Sequence, residues 1–333
     1  MEWAESLKRR SLLSLGLGSL AVAVGGRYCS ASKDASLSEI VFREAGAPDS
    51  TLAQMGSLDL PPNIGDKLFE FAAVGDVGTG KKGQYAVAEA MTQRWRSSPF
   101  PLTLLTGDNI YESGEIGRVR AAFERPYATL LENGVEFYAA LGNHDFRTNR
   151  GEDEIAYPGY NMLSRYYTFT EQSVQFFALD TNLAIAKGGR TADWQKQLQW
   201  LKRELARSPA PWKIVFAHHP VYSSGYHGSE PTLIASLTPL FAEYGVQLYI
   251  NGHDHNYERT EPIEGTTYIT SGNGAKLRPV DRSDWTAYAV SKLGFNTFEV
   301  YADWIVVKAI DSDNVVYDVA AIAANQVPVL STL

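Results

Sequence analysis

Seven short apolar runs constrain this chain more than any other feature: FEFAAV at 69–74, LTLLT at 102–106, EFYAAL at 136–141, VQFFAL at 174–179, KIVFA at 213–217, VQLYI at 246–250 and TTYIT at 266–270. Each has the length of a strand, and most lack the polar alternation expected where one face of a sheet meets water. Helical stretches stand between several of them. Asp193 to Ala206 puts Trp194, Leu198, Leu201 and Leu205 on one stripe, and Pro231 to Tyr244 opens on a proline and stops at Gly245. Near-continuous apolar strands alternating with helices predict a layered α/β domain whose sheet is buried on both faces. The last runs, around Phe295–Val300 and Trp304–Ala309, read as antiparallel strands.

Ligands of layered α/β folds bind beyond the carboxyl ends of the strands, so the residues after each run carry the chemistry. In order these are Gly75-Asp76, Gly107-Asp108-Asn109-Ile110-Tyr111, Gly142-Asn143-His144-Asp145, His218-His219 and Gly252-His253-Asp254-His255. A glycine ahead of a ligand lets the backbone turn sharply or approach closely. All six histidines fall in four compact places, GNHD, AHHP, YHG and INGHDHN. Any one polar pair is ordinary in a loop; five in succession are not. The single cysteine, Cys29, excludes an internal disulfide framework and a cysteine-based zinc site. Oxygen and imidazole donors without thiolate point to iron, zinc or manganese. The good ligands outnumber what one catalytic ion takes. In an extended segment His253 and His255 point to the same side, where two metals about 3.5–4 Å apart can take one each.

The order Asp76, Asp108 with Tyr111, Asn143-His144, His218 and His253-Asp254-His255 resembles the purple acid phosphatases, specifically their small, tartrate-resistant-type branch. The resemblance runs from about Leu68 to Pro279 and includes GDNIYESG, GNHD, LDT, QLQWLKREL and EYGVQLYINGHDHN. It implies a calcineurin-like metallophosphoesterase fold, an α/β/β/α sandwich of two mixed sheets flanked by helices, in residues 68–322. It further implies that Asp76, Asp108, Tyr111 and His255 bind Fe(III), and that Asp108 bridges to a second ion, Fe(II), Zn(II) or Mn(II), held also by Asn143, His218 and His253. The wider dinuclear phosphoesterases usually have Asp-x-His at the first motif, whereas Gly78 fills the third position here and Tyr111 is placed to replace the histidine. A phenol with a free pKa of about 10 needs a strongly charged cation to hold it deprotonated.

The implied activity is that of an acid phosphatase acting on phosphate monoesters, with hydroxide supplied by water that the metals acidify. His144 and His227 are the candidates for protonating the leaving group. Tyr226 stands where the small enzymes of the family have glutamate, which bears on the role of His227. His219 lines the pocket at most, and Asn256 would support the neighbouring histidines. A phosphodiesterase or nucleotide hydrolase on the same centre, and a metal- or phosphate-binding protein without turnover, are the alternatives.

The net charge of −8 and pI near 5.4 give no general attraction for nucleic acid, so the expected partners are small phosphate esters held by a local positive source. Lys8-Arg9-Arg10 leads into an uncharged stretch from Ser11 to Gly26, short of the roughly 20 residues that span a bilayer. Residues 1–31 therefore read as a twin-arginine-type signal for export to the periplasm or exterior, the other readings being an uncleaved anchor or a lipoprotein on Cys29. Residues 32–67 read as an irregular linker and 323–333 as a tail. The segment NLAIAKGGRTADWQ after Leu179-Asp180-Thr181 is too short for a large lid.

Overall fold

The computed structural model describes Pro61, residues 64–185 and residues 191–324. All belong to the compact unit Gln54–Leu333; the other unit, Met1–Ala53, lies outside the described residues, and so do the expected export signal and the Lys187–Arg190 connection.

Thirteen strands make up two sheets among the described residues: β1 (Phe69–Val74), β2 (Leu102–Leu105), β3 (Glu136–Ala139), β4 (Tyr167–Glu171), β5 (Val174–Ala178), β6 (Trp212–Phe216), β7 (Leu248–Asn251), β8 (Tyr257–Thr260), β9 (Thr267–Ser271), β10 (Thr286–Val290), β11 (Gly294–Val300), β12 (Trp304–Asp311) and β13 (Val316–Ala323). One sheet runs β13-β12-β11-β1-β2-β3 and the other β10-β8-β9-β7-β6-β5-β4. Strands β1, β2 and β3 are parallel, as are β5, β6, β7 and β9. The remaining pairings are antiparallel, so both sheets are mixed.

Burial on both faces explains the uninterrupted apolar runs. Successive strand residues point to opposite sides. On β5, β6 and β7 the residues Phe176, Ile214, Phe216, Leu248 and Ile250 join the core shared with the first sheet. Their neighbours Phe177, Val215 and Tyr249 meet Trp194, Leu201, Leu233 and Phe241 of the helices Thr191–Arg207 and Pro231–Tyr244. Phe71 of β1 stacks on Phe298 of β11 at 4.6 Å and meets Phe176 of the other sheet edge-on at 5.1 Å. Each such side chain contributes roughly 1.5–3 kcal/mol by leaving water.

The Pro231–Tyr244 helix has the predicted bounds for local reasons. Glu230 caps its start by accepting the Thr232 N–H, and Gly245 ends it at a φ of 63°. Strands β4, β8, β10 and β13 lie outside the apolar pattern. Three are sheet edges, and YERT of β8 hides its strand character behind a buried and a half-buried charge. Glu258 accepts from Ser224 and Thr286, and Arg259 forms a bidentate pair with Asp318 at 2.7 and 3.0 Å. No described helix is long and apolar enough to cross a membrane.

Candidate metal centre

The parallel strands β1, β2 and β3 deliver Asp76, Asp108 and Asn143 just past their carboxyl ends, and β6 and β7 of the other sheet deliver His218 and His253. The sheets are tied at that edge, where the Gly75 N–H donates to the Ser271 carbonyl at 2.8 Å, and within the first sheet the Asp76 N–H donates to the Gly107 carbonyl at 3.0 Å. Asp76, Asp108 and His253 have φ values of 59°, 55° and 70°, in the left-handed region. Side chains reach that region at a cost, and such costs concentrate at functional sites. Space explains two of the glycines. A Cβ at Gly142 would collide with the backbone nitrogen and Oδ1 of Asp108, and one at Gly252 with Asp76 Oδ2.

Asp145, the last residue of GNHD, locks two motifs together. Its carboxylate accepts from the N–H groups of Gly142 (2.7 Å), Asn109 (3.1 Å) and Ile110 (3.0 Å), and from Asn109 Nδ2 (3.1 Å). Burial, and then the charge of Asp108, push its pKa up to about 6 in spite of these donors.

Two groups of donors meet here. In one, Tyr111 Oη donates to Asp76 Oδ1 at 3.1 Å, while His255 Nε2 lies 3.3 Å from Tyr111 Oη and 3.4 Å from Asp76 Oδ1. In the other, His218 Nε2 lies 3.0 Å from Asn143 Oδ1, 3.1 Å from His253 Nδ1 and 3.5 Å from Asp108 Oδ1. Ligand atoms of Asp76, Asp108 and His218 fall within 4.8 Å of one another, so the two groups are contiguous.

The donor chemistry fits a metal. His218 Nδ1 donates to the Thr106 carbonyl at 2.9 Å, which fixes the tautomer and turns the Nε2 lone pair toward Asn143 and His253. Asn143 Oδ1 and the Asp108 carboxylate have no proton to offer it. Acceptors aimed at each other across 3.0–3.5 Å repel unless a proton or a cation stands among them. The electrostatics agree. Burial alone would depress His218, but Asp108 and Asp76 outweigh it and raise its pKa. Burial, helped by His219 and His218, holds His253 well below the imidazole range, as suits a neutral ligand. Burial, then Asp76 and Asp108, drive the Tyr111 phenol far above its usual range.

All seven predicted ligands are thus gathered at one edge, and the two candidate acids adjoin them. His144 Nδ1 donates to the Glu112 carbonyl at 2.6 Å, its ring meets Tyr111 edge-on at 4.6 Å, and its Nε2 stands 3.9 Å from Asp108 Oδ2. His227 is exposed and stacks on His253 at 4.1 Å, and its Nε2 accepts from the Arg278 guanidinium. Burial and Arg278 keep His227 below the ordinary imidazole range, against the pull of Asp254.

His219 is more than lining. It is buried, bonded through Nδ1 to Thr181 Oγ1 at 2.8 Å, and packed 4.5 Å from the His253 ring. Asn256 is corrected: its buried side-chain amide has no hydrogen-bond partner among the described residues, so it does not steady the histidines that way. Asp254 provides the support instead, accepting the His227 N–H at 2.8 Å on Oδ1 and the Ser223 hydroxyl at 2.5 Å on Oδ2. Sequence reasoning missed Asp254, Arg278, Lys276 and Arg147. The central position of Asp254 in HDH was a readable signal; Lys276 and Arg278 lie in a loop with no motif of its own, and Arg147 ends the short 3-10 helix Asp145–Arg147 just past GNHD.

A model of the family described as calcineurin-like phosphoesterase matches residues 69–257. Human tartrate-resistant acid phosphatase type 5 is 31% identical over 262 residues, covering 67% of this chain and 79% of that protein. Purple acid phosphatase 7 of Arabidopsis thaliana is 30% identical over 234 residues, covering 63% and 71%. Among solved structures, the purple acid phosphatase of yellow lupin seeds superposes with a TM-score of 0.64 at 20% identity, covering 77% of this chain and 53% of that one. GAP50, the anchor in the inner membrane complex of Plasmodium, superposes at 0.69 with 24% identity, covering 78% and 89%. The two superpositions speak for the fold alone.

Proposed function

This chain belongs to the calcineurin-like phosphoesterase family, as a phosphatase of the purple acid type with a dinuclear metal centre, and from that premise we propose that it is an exported enzyme hydrolysing phosphate monoesters on Fe(III) and a divalent ion. One observation carries this reading: two donor sets of different character abut at Asp108. Asp76, Tyr111 and His255 would hold the iron, and Asn143, His218 and His253 the divalent ion, with Asp108 between them. The buried phenol of Tyr111 supports iron, because beside two carboxylates it gives up its proton only to a strongly charged cation.

When bound, the two ions supply Lewis acidity toward phosphoryl oxygens and make water more acidic. The residues around them orient and protonate. His144 is the proton donor to the leaving oxygen: its Nδ1 is anchored on the Glu112 carbonyl, and Arg147 approaches its Nε2 only at 3.5 Å, too long to hold that nitrogen as an acceptor, so Nε2 is the nitrogen that carries a proton to substrate. That assignment does not extend to His227, whose Nε2 receives a hydrogen bond from a guanidinium and is therefore an acceptor. The basic start of the chain, Lys8-Arg9-Arg10, is what supports export.

Metal analysis and a visible spectrum of the purified protein, with rates on phenyl phosphate and on a bis-ester, test the reading. We expect iron, a phenolate-to-Fe(III) colour and a strong preference for the monoester; a colourless dizinc protein that prefers the bis-ester would overturn it. His144→Ala should retain both metals and lose roughly 10²–10⁴ in turnover. The loss should shrink for nitrophenyl phosphate, whose leaving group needs no proton.

A further inference from the structure

We infer that Arg278 and Arg147 are specificity-determining residues that select substrates whose leaving group carries a second negative charge, a diphosphate above all. The inference rests on the phosphatase reading and names the substrate class of the same site.

The chain as a whole is acidic, yet three cations, Arg278, Arg147 and Lys276, border its two donor groups. Arg278 follows the last sheet strand of the metal edge, β9, and is pinned there by its backbone N–H, which donates to the His255 carbonyl at 2.9 Å. Its guanidinium lies 4.9 Å over the Tyr226 ring and donates to His227 Nε2. Arg147 donates to the Glu112 carbonyl at 3.1 Å and approaches His144 Nε2 at 3.5 Å. Each guanidinium therefore stands one imidazole away from the ligands, through His227 on His253 and through His144 beside Asp108. Lys276 lies 3.7 Å over the Tyr111 ring, but Glu112 Oε1 at 3.7 Å offsets its charge.

Neither arginine has a carboxylate within ion-pair distance among the described residues, whereas Arg94, Arg165 and Arg259 each meet a buried one, Glu70, Asp180 and Asp318. A guanidinium has five N–H donors in a fork that matches phosphate or carboxylate oxygens, and the imidazole contact uses few of them. The metals would neutralise the phosphoryl group that reacts. An anion on the leaving side then falls to the rim, where His227 cannot assist it but Arg278 can. Tyr226, 73% exposed, holds that guanidinium in place from one face, where the family's glutamate would instead compete for it. For a diphosphate, water adds at the terminal phosphorus, the bridging P–O bond breaks, and the two protons of water end on the two orthophosphate products.

The test compares the metal-loaded wild type with Arg278→Gln and Arg147→Gln on pyrophosphate, phosphoglycolate and phenyl phosphate, together with the affinity of methylenebisphosphonate, which cannot turn over. Losing a charged hydrogen bond should cut kcat/KM for pyrophosphate about 10- to 100-fold, at least tenfold more than for phenyl phosphate, and weaken methylenebisphosphonate in proportion. A loss on phosphoglycolate as large as that on pyrophosphate would identify the recognised group as any second anion, and a loss on pyrophosphate alone would identify it as phosphate. Equal losses on all three substrates, with bisphosphonate affinity unmoved, would overturn the inference and leave the arginines as props for the histidines. A wild type inert toward all three substrates would instead sink the phosphatase reading, and the bisphosphonate arm would still report on the arginines.

Discussion

The two donor groups differ in what they ask of a metal. Around Asp76, Tyr111 and His255 one donor is a carboxylate, one a phenol that must ionise to bind and one a neutral imidazole, and the phenol is buried between carboxylates that oppose its ionisation. Around Asn143, His218 and His253 they are a neutral amide and two imidazoles, one held neutral by burial. A charge-rich pocket suits a trivalent ion and a charge-poor one a divalent ion. Asp108 stands at the seam, with His144 on one flank and His218 on the other. The difference teaches that selectivity between two adjacent sites can be built from side-chain charge, with little difference in spacing.

The most damaging way to break this comparison is to erase both sides at once. Gly142→Ala would drive a methyl group into the backbone and carboxylate of Asp108, the residue that the two groups share. Overpacking of this kind costs roughly 1–3 kcal/mol, which the fold should survive. We expect a folded protein by circular dichroism that holds neither metal and has no measurable turnover. Retention of one metal at full occupancy would show that Asp108 is not common to both sites.

Separate lesions should then tell the sides apart. Tyr111→Phe removes the phenol and leaves Asn143, His218 and His253 intact; it should bleach the colour and release iron while the divalent ion stays. His218→Ala should do the reverse, keeping the colour and losing the divalent ion. Each should lower turnover by at least ~10²–10³, the scale for removing a preorganised electrostatic group. Brief treatment of wild type with a chelator should mimic His218→Ala, because an ion held by neutral donors leaves first. If both variants lose both metals equally, the two groups form one cooperative site.

The sequence was legible where a single physical demand governed a segment. Burial on both faces made β1, β2, β5 and β6 readable, and the carboxyl ends of those strands then located Asp76, Asp108 and His218. Three edge strands were less legible because one side of each meets no neighbour and tolerates polar residues. Strand β8 was hidden for a different reason, since its buried Glu258 and half-buried Arg259 are satisfied by Ser224, Thr286 and Asp318, residues 34, 28 and 59 positions away. The same distance in sequence concealed the rim. Arg278 lies 51 residues from His227, and nothing local says that they touch. Asn256 was overread for the opposite reason: nearness in sequence to His253 and His255 suggested a bond that its side chain does not make.

The smallest expected effect comes from Asp254, which ties the loop carrying His227 to the segment carrying His253. Its Oδ1 accepts the His227 N–H, and its Oδ2 the Ser223 hydroxyl, whose oxygen in turn accepts the Gly225 N–H at 2.9 Å. In Asp254→Asn the amide oxygen can keep the His227 bond while the amide nitrogen donates to Ser223 Oγ, which has a second lone pair free once its own proton turns away. The polar shape is thus nearly conserved. What is lost is the charge on the acceptor, which makes the remaining hydrogen bonds neutral ones, on the order of 1 kcal/mol of stability. Because His227 stacks on His253 and not on His255, the disturbance should fall on the second metal. We expect its affinity, read by chelator competition, to drop about 10-fold, the low end for changing a group that supports a ligand, with the colour unchanged. Asp254→Ala leaves the His227 N–H without its acceptor and should fall nearer 100-fold. An equal loss of colour and divalent ion in either variant would mean that Asp254 anchors His253 and His255 alike, and that the two donor groups are less independent than their chemistry indicates.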